Sequence, residues 1–242
     1  MGEAAFWGIV GASALVIGAE VAFAFKLSRM VIGLVMAFGV GALISSVAFE
    51  LVFPATEDAE IWQVTLGMAL GSAVFFVGDR LVAKIGGSNR KNPDGSGEDG
   101  SGAGLVLGTV LDGVPESAVL GMSLVGGGGV SVALLAGIWI SNFPEALGSS
   151  VNLVKSGTSK GKIRLLWLGI VAVSALAAAI GFAVVSNSST KTGALVESFA
   201  AGALLTMIAD EMAPEAYERS AIYAGIATVA GFAVALFLTS LG

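Results

Sequence analysis

Two short acidic patterns carry the chemistry that can be read from this chain. Asp112-Gly113-Val114-Pro115-Glu116 and Ser141-Asn142-Phe143-Pro144-Glu145 superpose residue for residue, and the same shift pairs Gly108 with Gly137. On a helix, Asp112 and Glu116 stand four apart and share a face, as do Ser141 and Glu145, with Asn142 on an adjoining stripe. Each proline removes a backbone donor and frees the carbonyl four residues earlier, here Leu111 and Ile140. Three carboxylates, one amide, one hydroxyl and two released carbonyls therefore converge from two helices. Both patterns lie inside apolar runs, where an ionised carboxylate costs roughly 2.5 to 3.5 kcal/mol at a bilayer centre. The chain has no histidine, and neither pattern contains lysine or arginine. The economical partner is a bound cation, and an all-oxygen shell suits magnesium, calcium, manganese, iron(II) or zinc. The competing reading is a pair of kinked helices whose acids stay protonated or face a wet crevice. Packing alone gives no reason to double a Pro-Glu pattern with polar neighbours.

The elements that must position these residues are membrane-length. Of 242 residues, 55% are hydrophobic and 12% charged, with a mean hydropathy of +0.89. A soluble domain has about a quarter of its residues charged. The expectation is an all-α polytopic membrane protein, a single transmembrane domain over residues 1–242. A spanning helix needs about 20 apolar residues, and eight segments qualify, near 6–25, 30–53, 62–85, 104–125, 130–154, 163–185, 193–216 and 221–241. Segments four and five carry the two patterns. The first segment has Glu3 before it and Lys26 and Arg29 after it, the wrong flanks for a cleaved signal, and reads as a retained helix. The stretch 88–102, SNRKNPDGSGEDGSG, reads as a flexible cytoplasmic connector. With zero cysteines there is no disulfide or thiolate site, and a net charge of −6 offers no basic stripe for nucleic acid.

Lysine and arginine gather after the odd-numbered segments, as Lys26, Arg29, Arg80, Lys84, Arg90, Lys91, Lys155, Lys160, Lys162, Arg164 and Arg219, with only Lys191 in an even-numbered loop. The positive-inside rule then places both termini outside a cytoplasmic (plasma) membrane. A second echo pairs Phe38, Gly41, Ala42, Leu43, Ala48 and Glu50 with Phe199, Gly202, Ala203, Leu204, Ala209 and Glu211. Segments two and seven run in opposite directions in this orientation, so the echo is that of an inverted repeat relating segments 1–3 to 6–8 around the central pair. Glu50, near Glu57, Asp58 and Glu60, then marks an entrance, and Asp210, Glu211 and Glu215 an exit, for a cation held at Asp112, Glu116, Ser141, Asn142 and Glu145. Glu20 and Glu197 have no role assigned by spacing, though Glu20 needs a polar neighbour or a proton.

The whole chain resembles the ZIP (Zrt/Irt-like) family of divalent metal transporters, in particular its bacterial GufA-like branch. The likeness is carried by LDGVPESAVLG at 111–121, ISNFPEALGSS at 140–150 and ADEMAPEAYE at 209–218. The family's helix 4 pattern, His-Asn-x-Pro-Glu-Gly, falls on Asp112, Gly113 and Glu116, and its helix 5 metal-binding positions on Ser141, Asn142 and Glu145. A His-Glu pair near the inner exit falls on Asp210 and Glu211. The resemblance implies import of a divalent metal as substrate (zinc, manganese, iron(II) or cadmium), no resident cofactor, no enzymatic activity, and compatibility with a homodimer. Where the family has histidine this chain has aspartate or serine, which moves the site toward harder ions. A single-metal site follows from the lack of acidic residues in segment six. Two other readings stand beside this one: a proton- or sodium-coupled carrier of a small organic solute, and a membrane hydrolase using the paired carboxylates. The aromatic pocket expected of the first and the histidine, cysteine or serine-lysine pair expected of the second are not in the central segments.

Overall fold

The computed structural model describes residues 1–84, 102–125 and 129–241, and all regular structure among them is helical. The 88–102 connector lies outside the described residues, apart from Gly102 where a helix begins. In chain order the helices are α1 (Gly2–Ala24), α2 (Arg29–Ser46), α3 (Phe53–Asp58), α4 (Ile61–Lys84), α5 (Gly102–Met122), α6 (Val132–Lys155), α7 (Lys160–Ser186), α8 (Thr190–Met207), α9 (Ala213–Ser220) and α10 (Ala224–Thr239). Serine hydroxyls set several starts: Ser28 accepts from the Val31 amide, Ser131 from Leu134 and Ser189 from Thr192, each at 3.2 or 3.3 Å.

Five helical runs among the described residues are long and apolar enough to cross a membrane: Gly2–Ala24, Arg29–Asp58, Ile61–Lys84, Lys160–Ser186 and Thr190–Thr239. The last has 50 residues, which as one straight helix would reach about 75 Å against a hydrocarbon core of about 30 Å. Ala221 interrupts it with a positive φ of 50°. The two helices that carry the Pro-Glu patterns are not among the five. In α6 the reason is visible: Ser141, Asn142, Glu145, Ser149, Ser150 and Asn152 dilute its apolar character, and from Ala133 to Leu153 none of its residues is exposed. In α10, by contrast, half of the residues are exposed, as on a helix with one face toward lipid.

Helices continue through Pro115 and Pro144. α6 lies against α1 and α2, and α5 against α7, while α2 pairs with α10 and α4 with α8. Small residues set the closest of these approaches. A Cβ at Gly41 of α2 would overlap the Thr228 carbonyl of α10, and one at Gly231 of α10 would overlap that of Phe38. Between α8 and α4 the same happens at Gly202, against the Met68 carbonyl, and at Gly71, against that of Phe199. Hydroxyls add polar ties across the helices: Thr206 to Ser72 at 2.7 Å, the Trp167 indole to Ser150 at 2.9 Å and the Trp139 indole to Ser13 at 3.2 Å. Two π-helical stretches, Val47–Val52 and Ile208–Met212, interrupt the echoing segments, and each is followed by a helix with proline in its first turn. Such single-turn widenings often occur at functional positions.

Candidate functional site

A cavity of about 60 Å³ lies among α2, α5, α6, α8 and α9. Helical periodicity explains its walls. Asp112 and Glu116 present one stripe of α5, while Ser141, Glu145, Gly148, Ser149 and Asn152 present one stripe of α6. Glu211, Glu215 and Arg219 form a third stripe leading into and along α9, and Met36, Met207 and Met212 close the remaining sides. The sequence patterns at 112–116 and 141–145 therefore do meet.

The deepest acid is Glu116, 3% exposed, with Asp112 at 7%. The Ser141 hydroxyl lies 3.2 Å from Glu116 Oε1 and 2.9 Å from the Ile138 carbonyl, so its single proton can serve only one of them at a time. Glu116 Oε2 is buried without a hydrogen-bond partner. A buried carboxylate oxygen in that position is unfavourable unless a proton or a cation joins it. Glu145 and Asp112 both lie near enough to act on Glu116 through their charges, and the Asn142 amide sits beside the same carboxyl group. Among the described residues, no group of three acidic side chains is drawn together tightly enough to hold a metal ion by itself. The acids ring the cavity instead of meeting at one point.

The other expected residues separate. Glu211 and Glu215 line the cavity, but Asp210, on the same π-helical stretch, is exposed and turned away from it. Asn142 is buried next to Glu116 without lining the cavity. Glu50 does not line the cavity and accepts a 2.6 Å hydrogen bond from Thr239 of α10. Glu20 finds its polar neighbour in Arg164, an ion pair joining α1 to α7, with the Lys160 ammonium and the Arg164 guanidinium over the Phe23 ring. Glu197 lies close enough to Asp58 for their charges to interact.

Arg219, Ser149, Asn152 and the three methionines escaped the sequence reading. In the sequence Arg219 counts only as a loop charge, yet it stands four residues beyond Glu215 on the same stripe. Ser149 and Asn152 continue the α6 stripe about two and three turns past Ser141. Extending the patterns by one helical period finds Arg219 and Ser149, and by two finds Asn152. The methionines carry no such signal, because a buried methionine is ordinarily core.

No family model matches the chain. Over 212 residues, 86% of the chain, it is 25% identical to the Arabidopsis thaliana protein named "Putative zinc transporter At3g08650". The matched stretch is 34% of that protein, so the chain spans about a third of the relative's length.

Proposed function

We propose that the chain is a ZIP-type transporter of divalent metal cations in which α5 and α6 line the path. The observation that carries this reading is the acidic cavity, which carboxylates from two Pro-Glu helices line together inside a bundle whose surrounding helices are long and apolar enough to cross a membrane. The likeness to a plant protein named for zinc transport points the same way. Asp112, Glu116, Ser141 and Glu145 bind the ion, with Asn142 orienting the Glu116 carboxyl. Because the acids ring the space, the ion keeps part of its water shell, as hard divalent ions readily do. The thioethers of Met36, Met207 and Met212 add soft donors around this oxygen set and widen the accepted range toward cadmium. From there the ion passes Ser149 and Asn152 toward Glu211 and Glu215.

Eight crossings follow if α5 and α6 count as enclosed spans and the 50-residue run is two. The inverted repeat is supported by the packing. Exchanging the first three spans with the last three turns the α2–α10 contact into the α8–α4 contact, glycine for glycine, and the α1–α6 contact into that of α7 with α5. Rocking of one bundle against the other would then expose the site alternately to the two sides. The positive-inside count puts the Glu215 end in the cytoplasm, with Glu50 toward the opposite face.

The test is uptake into proteoliposomes of manganese, zinc, iron(II), cadmium and magnesium by the native chain and by Glu145→Gln. Uptake of at least one ion that falls tenfold or more in the variant supports the reading. A folded protein that moves none of them refutes it and favours a carrier of organic solutes.

A further inference from the structure

Arg219 enters the acidic cavity through a slot that two other helices leave open. Its Nε and Nη2 both donate to Glu215 Oε1, one helical turn back, at 3.0 and 2.6 Å. The Arg219 side chain is 10% exposed, against 36% for that of Glu215. A Cβ at Gly33 on α2 would run into the arginine stem, and one at Gly148 on α6 would lie 3.2 Å from Nη2. Stem and head thus depend on glycine at two different helices. An ordinary surface arginine extends its charged head into water, and an exposed i,i+4 pair contributes little. Here the guanidinium is turned inward, and among the described residues lining the cavity it is the one basic side chain.

We propose that Arg219 is a tethered counter-cation that competes with the transported ion at the mouth of the cavity. Its charge satisfies Glu215 and weakens the hold of the mouth on a departing divalent cation, so that the ion is released instead of stalling between Glu211 and Glu215. The inference rests on the cavity being the cation path proposed above. It makes Arg219 a positioning and rate-setting residue, not a ligand. A purely structural ion pair, fastening α9 to α2 and α6, is lost equally whichever partner is removed. A counter-cation behaves differently, because removing Arg219 leaves the mouth more negative and removing Glu215 leaves it more positive.

The experiment measures manganese(II) binding to the full chain in detergent from the loss of the free-ion paramagnetic resonance signal, with zinc and cadmium as competitors. Arg219→Gln should bind about tenfold more tightly and transport more slowly, and Glu215→Gln should bind about tenfold more weakly, the order expected for one unit charge acting on a divalent ion in a partly wet cavity. Arg219→Lys, which keeps the charge, should stay within about threefold of the native affinity. Opposite shifts in the first two variants support the proposal. Shifts of the same sign, or none, in a native chain that binds the ion overturn it and leave the transport reading intact. A native chain that neither binds nor transports any of the ions overturns the transport reading and this inference with it. If Arg219→Gln fails to fold, an unchanged or tighter Glu215→Gln still refutes the proposal.

Discussion

Glu50 and Glu211 close two segments that share a frame of phenylalanine, glycine, alanine and leucine and each contain a π-helical stretch, yet only Glu211 reaches the acidic cavity. Glu50 is bonded to Thr239 on α10 instead. The positions around them diverge further. Met36, which lines the cavity, corresponds by the same spacing to Glu197, and Arg219 corresponds to Asp58. One end of the bundle therefore brings a methionine and a guanidinium to the cavity, and the other brings two carboxylates near each other. What the two segments have in common is packing: Gly41 and Gly202 each admit a carbonyl of the neighbouring helix. The backbone frame is duplicated while the charges are not, so any difference in chemistry between the two ends of the bundle comes from the side chains that differ.

The largest expected effect breaks the chemistry and leaves both frames in place. Glu116→Ala should abolish metal uptake, a loss of at least a hundredfold measured in proteoliposomes, because it removes the deepest carboxylate of the cavity. Next comes the shared frame. Gly202→Leu and Gly71→Leu should each destabilise the α4–α8 contact by about 1 to 3 kcal/mol or more, read as a lowered midpoint in thermal aggregation, because a side chain cannot enter a contact made by a backbone carbonyl. Glu211→Gln and Glu50→Gln sharpen the contrast between the two acids. The first should reduce the uptake rate about tenfold with little change in stability, and the second should lower stability by about 0.5 to 1.5 kcal/mol with a smaller change in rate, since a cross-helix hydrogen bond is weakened there. The smallest effect is long-range. Asp58→Asn should lower uptake about twofold at low ionic strength and hardly at all at high salt, as expected for attraction of ions to an acidic mouth.

The central helices were legible in the sequence because their chemistry repeats at helical spacing. Asp112 and Glu116, like Ser141 and Glu145, could be placed on common faces from spacing alone, and the structure brings those faces to one cavity. Membrane-length helices were legible from composition, although the polar stripe of α6 takes that helix out of the runs that apolarity alone would select. Asp210 and Glu211 both fall near the inner end of segment seven and on the His-Glu pair of the family that the chain resembles, but neighbours on a helix point about 100° apart, and only Glu211 lines the cavity while Asp210 is exposed. Glu50 stands near other acids in the sequence, which does not reveal its hydrogen-bond partner, Thr239, 189 residues away. Arg219 was missed for a related reason: a basic residue at a helix end normally turns to solvent, and only the paired absence of side chains at Gly33 and Gly148 turns it inward.

The most direct measurement uses the absence of native cysteine. Ser149→Cys puts a single thiol on the cavity wall, and Glu218→Cys puts one on the exposed side of α9. Their rates of modification by a charged methanethiosulfonate are compared with and without manganese(II), zinc or cadmium. At least fivefold protection at position 149 by a transported ion is expected, and none at position 218. Equal rates at position 149 with and without every ion, in a protein that remains folded, would contradict the claim that the acidic cavity holds the cation.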